Sequence, residues 1–377
     1  MNILITGGAG FIGSHTADAL LQLGHSVRIL DCLDPQIHGQ NETFPEYLDK
    51  RIECIVGDVR DLDAVTEAMQ DIDAVYHFAA LTGVGQSMYD LRSYVDTNCT
   101  GTATVLEAII KQKKSLKRLV LSSSRAVYGE GTHTCATHGT VYPEVRRRED
   151  LEAGKFDIFC PHCGEPLTAV GTQEERILKP ISVYAWTKKQ QEEQCRYVAE
   201  TFGVPVTMLR YFNVYGSRQS LKNPYTGVVS IFYSRLVAGE PIYVYENGKP
   251  GRDFVHVQDV VQANVKALEV DSTPGTAFNI GTGDEITILD VANALAKATG
   301  TAPNLVDQGE FRVGDIHSCY ADLERSKSVL GYSPDISLDA GMKEFAAWAG
   351  NQEAVDLYQK AVDELAKHGL FGRAAGR

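Results

Sequence analysis

The chain has 377 residues, enough for one large or two modest domains. Its 36 lysines and arginines against 49 aspartates and glutamates give a formal net charge of −13, which argues against nucleic acid as a partner. No apolar run is long enough to span a bilayer, which argues against a membrane partner. Met1 leads at once into a strand pattern with no signal or transit peptide before it, so a cytoplasmic setting is expected.

The first stretch to carry chemistry is Asn2-Ile-Leu-Ile-Thr-Gly-Gly-Ala-Gly-Phe-Ile-Gly-Ser-His15. An apolar strand runs into glycines at Gly7, Gly10 and Gly13, and a helical pattern follows to about Leu23. In such a turn the first glycine permits the bend. The second lets the backbone approach a pyrophosphate, and the third lets the helix pack closely on the strand. The helix N-terminus, with its free N–H groups, then faces the phosphates. A second strand, Ser26 to Leu30, ends in Asp31, where a carboxylate can take both adenosine ribose hydroxyls. A 2′-phosphate there would meet a like charge, so the pattern favours NAD over NADP.

Further along, a polar loop covers Asp34 to Asp49. Strand Ile52 to Val56 ends in Gly57-Asp58, where Asp58 can meet the adenine amino group. A helix from Asp61 to Met69 leads to strand Ala74 to Phe78 and the small pair Ala79-Ala80. A long helix is expected from about Arg92 to Lys113, containing Asn98, followed by strand Arg118 to Ser122. This alternation argues for a parallel sheet covered on both faces, with its ligand at the carboxyl ends of the strands. From 130 to 180 the rhythm stops, and a loop of that length is normally functional or separately stabilised. A helix resumes from Ser182 to Phe202, then strand Val206 to Tyr211. Shorter elements follow: helix Val228 to Ala238, strand Ile242 to Tyr245, helix Gln258 to Val270, strand Ala277 to Ile280 and helix Ile288 to Thr299. A final amphipathic helix is expected over Asn351 to His368. The expected division is residues 1–211 for dinucleotide binding, with the 130–180 insert inside it. Residues 212–350 form mostly a substrate-binding region, and 351–377 a helix and tail.

Ser124, Tyr184 and Lys188 form the candidate catalytic set. Tyr184 and Lys188 lie one helical turn apart on one face. A phenol with a free pKa near 10 is a poor base at neutral pH, and a nearby ammonium together with a positive nicotinamide lowers that value. Ser124, at a strand end, can hydrogen-bond the reacting hydroxyl.

In the insert, Cys135-Ala-Thr-His138 and Cys160-Pro-His-Cys163 are two two-ligand steps. Together they match the tetrahedral Cys₃His arrangement that zinc favours in a structural site. His162 and His133 are alternative ligands. Reduced cysteines in a loop, or a Cys160–Cys163 disulfide, are the competing readings. Cys32, Cys54, Cys99, Cys195 and Cys319 are scattered and read as structural.

Taken together, Thr6-Gly-Gly-Ala-Gly-Phe-Ile-Gly13, Asp31, Gly57-Asp58-Val59, His77-Phe-Ala-Ala80, Ser122-Ser-Ser124, Tyr184-x-x-x-Lys188 and Tyr211-Phe-Asn-Val-Tyr-Gly216 resemble the extended short-chain dehydrogenase/reductase family. Within it they are similar to the nucleotide-sugar epimerases and dehydratases, to about Trp348. The resemblance implies a Rossmann-like doubly wound sheet with a smaller carboxyl-terminal substrate-binding region, tightly held NAD and a nucleoside-diphosphate sugar as substrate. It places Gly7, Gly10, Phe11, Ile12, Gly13, Asp31, Asp58, Val59, Phe78, Ala79, Ala80, Asn98, Ser122, Tyr184, Lys188 and Tyr211 at the cofactor. Val84, Gln86, Ser124, Asn213, Arg252, Arg312 and Asp315 fall at the sugar nucleotide, with Tyr243 to Glu246 flanking the base. It also implies a homodimer joined through the helices Arg92 to Lys113 and Ser182 to Phe202.

The family's 4,6-dehydratases carry an Asp-Glu pair after the catalytic hydroxyl residue. Arg125 and Ala126 stand there instead and cannot serve as an acid–base pair, so 4-epimerisation through a transient 4-keto sugar is expected. Val84-Gly-Gln-Ser-Met88, the cysteine insert, Asn223-Pro-Tyr-Thr-Gly-Val228 and Gly314-Asp-Ile-His-Ser-Cys-Tyr320 resemble bacterial dTDP-L-rhamnose 4-epimerases. UDP-glucose or UDP-N-acetylglucosamine 4-epimerisation is the alternative substrate reading. A non-catalytic NAD-sensing protein is the alternative of another class.

Overall fold

The computed structural model describes residues 1–40, 43–112, 115–223, 225 and 227–375. Its frame is a seven-stranded sheet. Across the sheet the strands run Thr276–Ile280, Val206–Tyr211, Arg118–Ser124, Ala74–His77, Asn2–Thr6, Ser26–Asp31 and Glu53–Val56. Every pairing between them is parallel. The order reverses direction beside Asn2–Thr6, the switch point at which such sheets bind ligands.

Alternation along the strands explains why both faces are covered. In the first strand Ile3 and Ile5 join a core with Ala17, Leu20, Val260 and Ala263, from helices Phe11–Gln22 and Val257–Glu269. Leu4 points the other way, into a core with Val65, Val105, Ile109, Cys195 and Val198. That second face is built by helices Leu62–Ala68, Gly101–Lys111 and Val183–Phe202. The sheet also takes in Thr276–Ile280, so its strands come from both sides of residue 211. A separate core, around Phe232, Leu295 and Phe345, joins helices Val228–Ala238, Ile288–Thr299 and Leu338–Ala349 over the carboxyl end of the sheet. No helix among the described residues is long and apolar enough to cross a membrane.

Three expected elements differ. The helix expected over Arg92 to Lys113 is a composite of Leu91–Tyr94, a π-helical segment Val95–Thr100, and Gly101–Lys111. Lys113 lies outside the described residues. The π segment holds Asn98, and such segments re-aim a side chain at a cost in regular hydrogen bonding. Strand Ile242 to Tyr245 stops at Tyr243, because Glu246 and Asn247 turn into left-handed backbone at φ 51 and 62°. The last helix is only Tyr358–Lys367, and the chain beyond it adds strand Phe371–Arg373 antiparallel to Glu310–Arg312.

The insert is folded. Strands Thr132–Cys135, Gly139–Val141 and Thr168–Val170 form an antiparallel sheet, with a short helix Arg148–Glu152 beyond it. Its base is tied to the carboxyl-terminal region, where Glu130 accepts from the His317 and Ser318 amides at 2.7 and 2.8 Å. The helix is clasped by the tail, since Arg148 donates to the Gly369 carbonyl at 2.8 Å and Ala375 to that of Glu152 at 2.8 Å.

A buried ion pair ties the helix that bears Tyr184 to the sheet. Arg210 donates to Glu192 at 2.8 and 2.7 Å, and Ser123 donates to the same carboxylate at 2.5 Å. Both charged side chains are almost wholly buried. Removing one partner leaves a buried charge uncompensated, so Arg210→Met is expected to cost about 3–5 kcal/mol, read by urea denaturation. A loss below about 1 kcal/mol would show that the pair does not hold this helix in place.

Candidate active site

The carboxyl ends of the strands and the helical cap enclose one large cavity of about 1950 Å³. Gly7, Gly10, Phe11, Ile12 and Gly13 form one wall of it, with Asp31, Asp58, Val59, Phe78, Ala79 and Ala80 beside them. A Cβ at Gly13 would stand 2.5 Å from the Gly7 carbonyl oxygen, and one at Gly7 would stand 2.7 Å from the Ala79 nitrogen. Gly7 also holds φ at 68°, so it needs glycine twice over. Asp31 is braced rather than free to swing. Its carboxylate accepts from the Ala9 and Leu33 amides, both at 3.0 Å, which aims it at the cavity. Asp58 lines the cavity too, with its carboxylate gripped by Arg60 at 2.6 and 3.0 Å and held below its usual pKa mainly by that pairing. This cradle, with bare backbone at the turn and a fixed carboxylate at the end of the second strand, fits the pyrophosphate and ribose of a dinucleotide.

Ser122, Ser124, Tyr184 and Lys188 meet deeper in the same cavity. The Lys188 ammonium donates to the Ser122 carbonyl at 2.8 Å, and burial lowers its pKa to about 8. Ser124 ends the strand and caps the following turn, accepting from the Ala126 amide at 3.2 Å. Burial pushes the Tyr184 phenol above its ordinary pKa, while its hydrogen bond with Ser124 and the charge of Arg125 pull it back. Lys188 was the expected local cation on the phenol. It donates to the Ser122 carbonyl, and the charge of Arg125 is a further pull toward the phenolate.

Two expected site residues act behind the wall instead of in it. Asn98 is fully buried, and its amide clamps the Leu81 amide and carbonyl at 2.8 and 3.1 Å and reaches Thr187 at 2.9 Å. It therefore fixes the Ala79-Ala80-Leu81 backbone and lies off the cavity wall. Gln86 accepts from the Tyr94 hydroxyl at 3.3 Å and pairs with Gln36, whereas Val84 does line the cavity. Tyr94 in turn packs edge-on against Tyr184, ring centres 6.5 Å apart.

The far end of the cavity holds Asn213, Arg252, Arg312 and Asp315 as expected, with Tyr211 near the middle. Arg252 spends its donors on the Gly251, Ile316 and His317 carbonyls and on Asp315 at 2.9 Å. Buried Asn213 Oδ1 and Arg312 Nε have no hydrogen-bond partner among the described residues, and groups of that kind suit a polar ligand. Although burial works to raise the Asp315 pKa, the charges of Arg252, Arg312, Arg125 and Arg146 hold it below the usual range. Tyr243 and Tyr358 stack with ring centres 5.3 Å apart, and Arg312 lies over the Tyr245 ring at 5.1 Å. Tyr358 and Leu365, from the last helix, and Arg146, from the insert, escaped the sequence reading. They arrive only by tertiary contact, and no spacing signals them. Within the expected stretch Asn223 to Val228, Pro224 and Thr226 lie outside the described residues.

Comparison with known proteins gives the site its context. The model of the NAD-dependent epimerase/dehydratase family matches residues 3–155 and 161–281. The chain belongs to that family. A dTDP-L-rhamnose 4-epimerase from Burkholderia thailandensis is 37% identical over 354 residues, covering 93% of this chain and 95% of that protein. A UDP-glucose 4-epimerase from Bacillus subtilis is 30% identical over 384 residues, covering 96% and 100%. Among solved structures, a UDP-glucuronic acid 4-epimerase from Bacillus cereus, in complex with UDP-glucuronic acid and NAD, superposes with a TM-score of 0.75. It is 28% identical and covers 93% of this chain and 99% of that one.

Removing the Arg125 charge takes away a force that favours the phenolate, so the phenol pKa must rise. In Arg125→Met the Tyr184 ring signal, followed by NMR with carbon-labelled tyrosine, is expected to titrate at higher pH than in the wild type. An unchanged or lower midpoint would remove Arg125 from the electrostatics of Tyr184.

Proposed function

We propose that this protein is an NAD-dependent nucleotide-sugar 4-epimerase acting on dTDP-L-rhamnose and dTDP-6-deoxy-L-talose. The observation that carries the reaction class is the meeting of Ser124, Tyr184 and Lys188 beside the glycine cradle in one cavity. Bound NAD would supply a hydride acceptor and donor for carbon 4 of the sugar, held by the glycine turn and Asp31.

The chain's own groups do the rest. Tyr184, as phenolate, takes the proton of the sugar 4-hydroxyl, and Ser124 holds that oxygen in line by a hydrogen bond. Arg125 favours the phenolate, and Lys188, held at the Ser122 carbonyl, would also hold the nicotinamide ribose of bound NAD. The 4-keto sugar turns within the cavity while the nucleotide end stays anchored among Asn213, Arg252, Arg312 and Asp315. Reduction on the other face, with Tyr184 returning its proton, completes the inversion. Arg125 and Ala126 offer no carboxylate pair to expel water from carbon 6, which supports epimerisation over dehydration.

The substrate assignment draws on the relative from Burkholderia thailandensis, which bears that activity as its name and matches at 37% identity. Relatives named for UDP-sugars follow at 30 to 31%, among them a UDP-N-acetyl-alpha-D-glucosaminuronate decarboxylase from Bacillus cytotoxicus. A 6-deoxy sugar carries a methyl at carbon 6 and needs no polar partner there.

The test runs the purified enzyme and Tyr184→Phe on dTDP-L-rhamnose, UDP-glucose, UDP-galactose and UDP-N-acetylglucosamine. The wild type is expected to prefer the dTDP sugar. Tyr184→Phe is expected to lose about 10²–10⁴ in kcat while still binding sugar nucleotide. Preference for a UDP-sugar would overturn the substrate. Near-normal turnover by Tyr184→Phe would overturn the base.

A further inference from the structure

Outside the cavity, the insert gathers four side chains with soft or imidazole donors. Cys135 Sγ lies 3.6 Å from His138 Nδ1 and 3.6 Å from Cys163 Sγ. Cys160 Sγ lies 3.6 Å from the same His138 nitrogen. All four donor atoms fall within 4.8 Å of one another. With zinc–sulfur bonds of about 2.3 Å and zinc–nitrogen bonds of about 2.0–2.1 Å, tetrahedral donor atoms stand roughly 3.5–3.8 Å apart. A disulfide requires about 2.0 Å between sulfurs, and the eight cysteines are all free.

The backbone builds this cluster from two copies of one device. Cys135 to His138 is followed by Gly139 at φ 66°, and Cys160 to Cys163 by Gly164 at φ 75°. At both glycines a Cβ would meet nothing within 4 Å, so left-handed backbone alone calls for glycine there. The second turn is closed by Gly164 donating to the Cys160 carbonyl at 2.9 Å and Cys160 to that of Glu165 at 2.8 Å. The two turns face each other across the insert's sheet. Cys135 and Cys160 lie underneath, only 2% and 3% exposed, while His138 and Cys163 close the outer side. The alternative ligands stand elsewhere. His133 turns its Nδ1 to the Gly131 carbonyl at 3.1 Å, and His162 packs its ring 5.1 Å from that of His138.

The insert packs little apolar surface directly against the two turns, because its Leu151 and Phe156 are buried elsewhere, with Phe311 and Ala374. The buried apolar cluster beside the turns consists of Cys135, Val141 and Cys160, with Leu167 packed against them. Among the described residues, a cluster that small beside the turns offers little to offset the ordering of two turns and a sheet.

We propose that Cys135, His138, Cys160 and Cys163 bind one structural zinc ion. Three thiols lose their protons to water as three zinc–sulfur bonds form, and neutral His138 gives its Nδ1 as the fourth ligand. All four positions are filled by protein, so no water is activated, and the binding free energy goes into folding the insert. The same module carries Arg146, which pairs with Glu246 and donates to the Asp315 carbonyl at 3.1 Å in the wall of the cavity. The zinc therefore braces a wall of the site from outside it.

The experiment is elemental analysis of the untagged full chain, purified without added zinc. About one zinc per chain is expected, falling below about a tenth in both Cys160→Ser and His138→Ala. Because a ligand variant can fail to fold, the wild-type protein is also exchanged with cobalt(II), which is expected to give the intense visible bands of a tetrahedral thiolate site. Protease cutting within residues 136–167 is expected to rise at least about tenfold when the metal is stripped. Wild-type protein with native circular dichroism and less than a tenth of a zinc per chain would overturn the proposal. Another metal in its place, or zinc content unchanged in both variants, would do so as well.

Discussion

The hydrogen bond from the Lys188 ammonium to the Ser122 carbonyl, 2.8 Å long, is the constraint on which the site depends. It joins the helix Val183–Phe202 to the strand Arg118–Ser124 at the level of the reacting groups. Without it Ser124 and Tyr184 belong to elements separated by the whole insert. The neighbouring Ser123–Glu192–Arg210 network fixes the same helix one turn further along. Polar groups buried this deeply are costly unless paired, so the pairs also select one register of helix against strand.

The long excursion between those two elements follows from this arrangement. The chain leaves the sheet at Ser124 and must return at Ser182 with Tyr184 correctly aimed. It does so through a folded module whose base is bonded to residues 317 and 318 and whose helix is clasped by the tail. Arg146 then extends from the module to Glu246, whose left-handed backbone presents the carboxylate. Insert, tail and cap thus meet at one side of the cavity, while the sheet and its glycine turn supply the other.

The sheet and the gathering of Ser124, Tyr184 and Lys188 at one cavity were legible in the sequence because their signals are local. Glycine spacing, strand alternation and the Tyr-x-x-x-Lys turn each depend on neighbours only a few residues apart. The turns Cys135-x-x-His138 and Cys160-x-x-Cys163 were each legible for the same reason, and their ligand types suggested the meeting that the fold provides. What failed depended on contacts distant in sequence. The π segment at Asn98 trades regular helix for an amide clamped on Leu81, which no propensity announces. Gln86 contacts Tyr94, and Arg125, read only as the absence of a dehydratase acid, also adds a charge that favours the Tyr184 phenolate. Tyr358 and Leu365 reach the cavity from the far end of the chain.

In the proposed reaction carbon 4 loses and regains the same hydrogen inside one closed site. The most direct measurement uses sugar nucleotide deuterated at carbon 4, incubated with enzyme in ordinary water until the epimers equilibrate. Deuterium is expected to remain at carbon 4 of the inverted product, with none exchanged for solvent hydrogen. Loss of the label to water, which would signal proton abstraction from carbon, would contradict the proposed reaction.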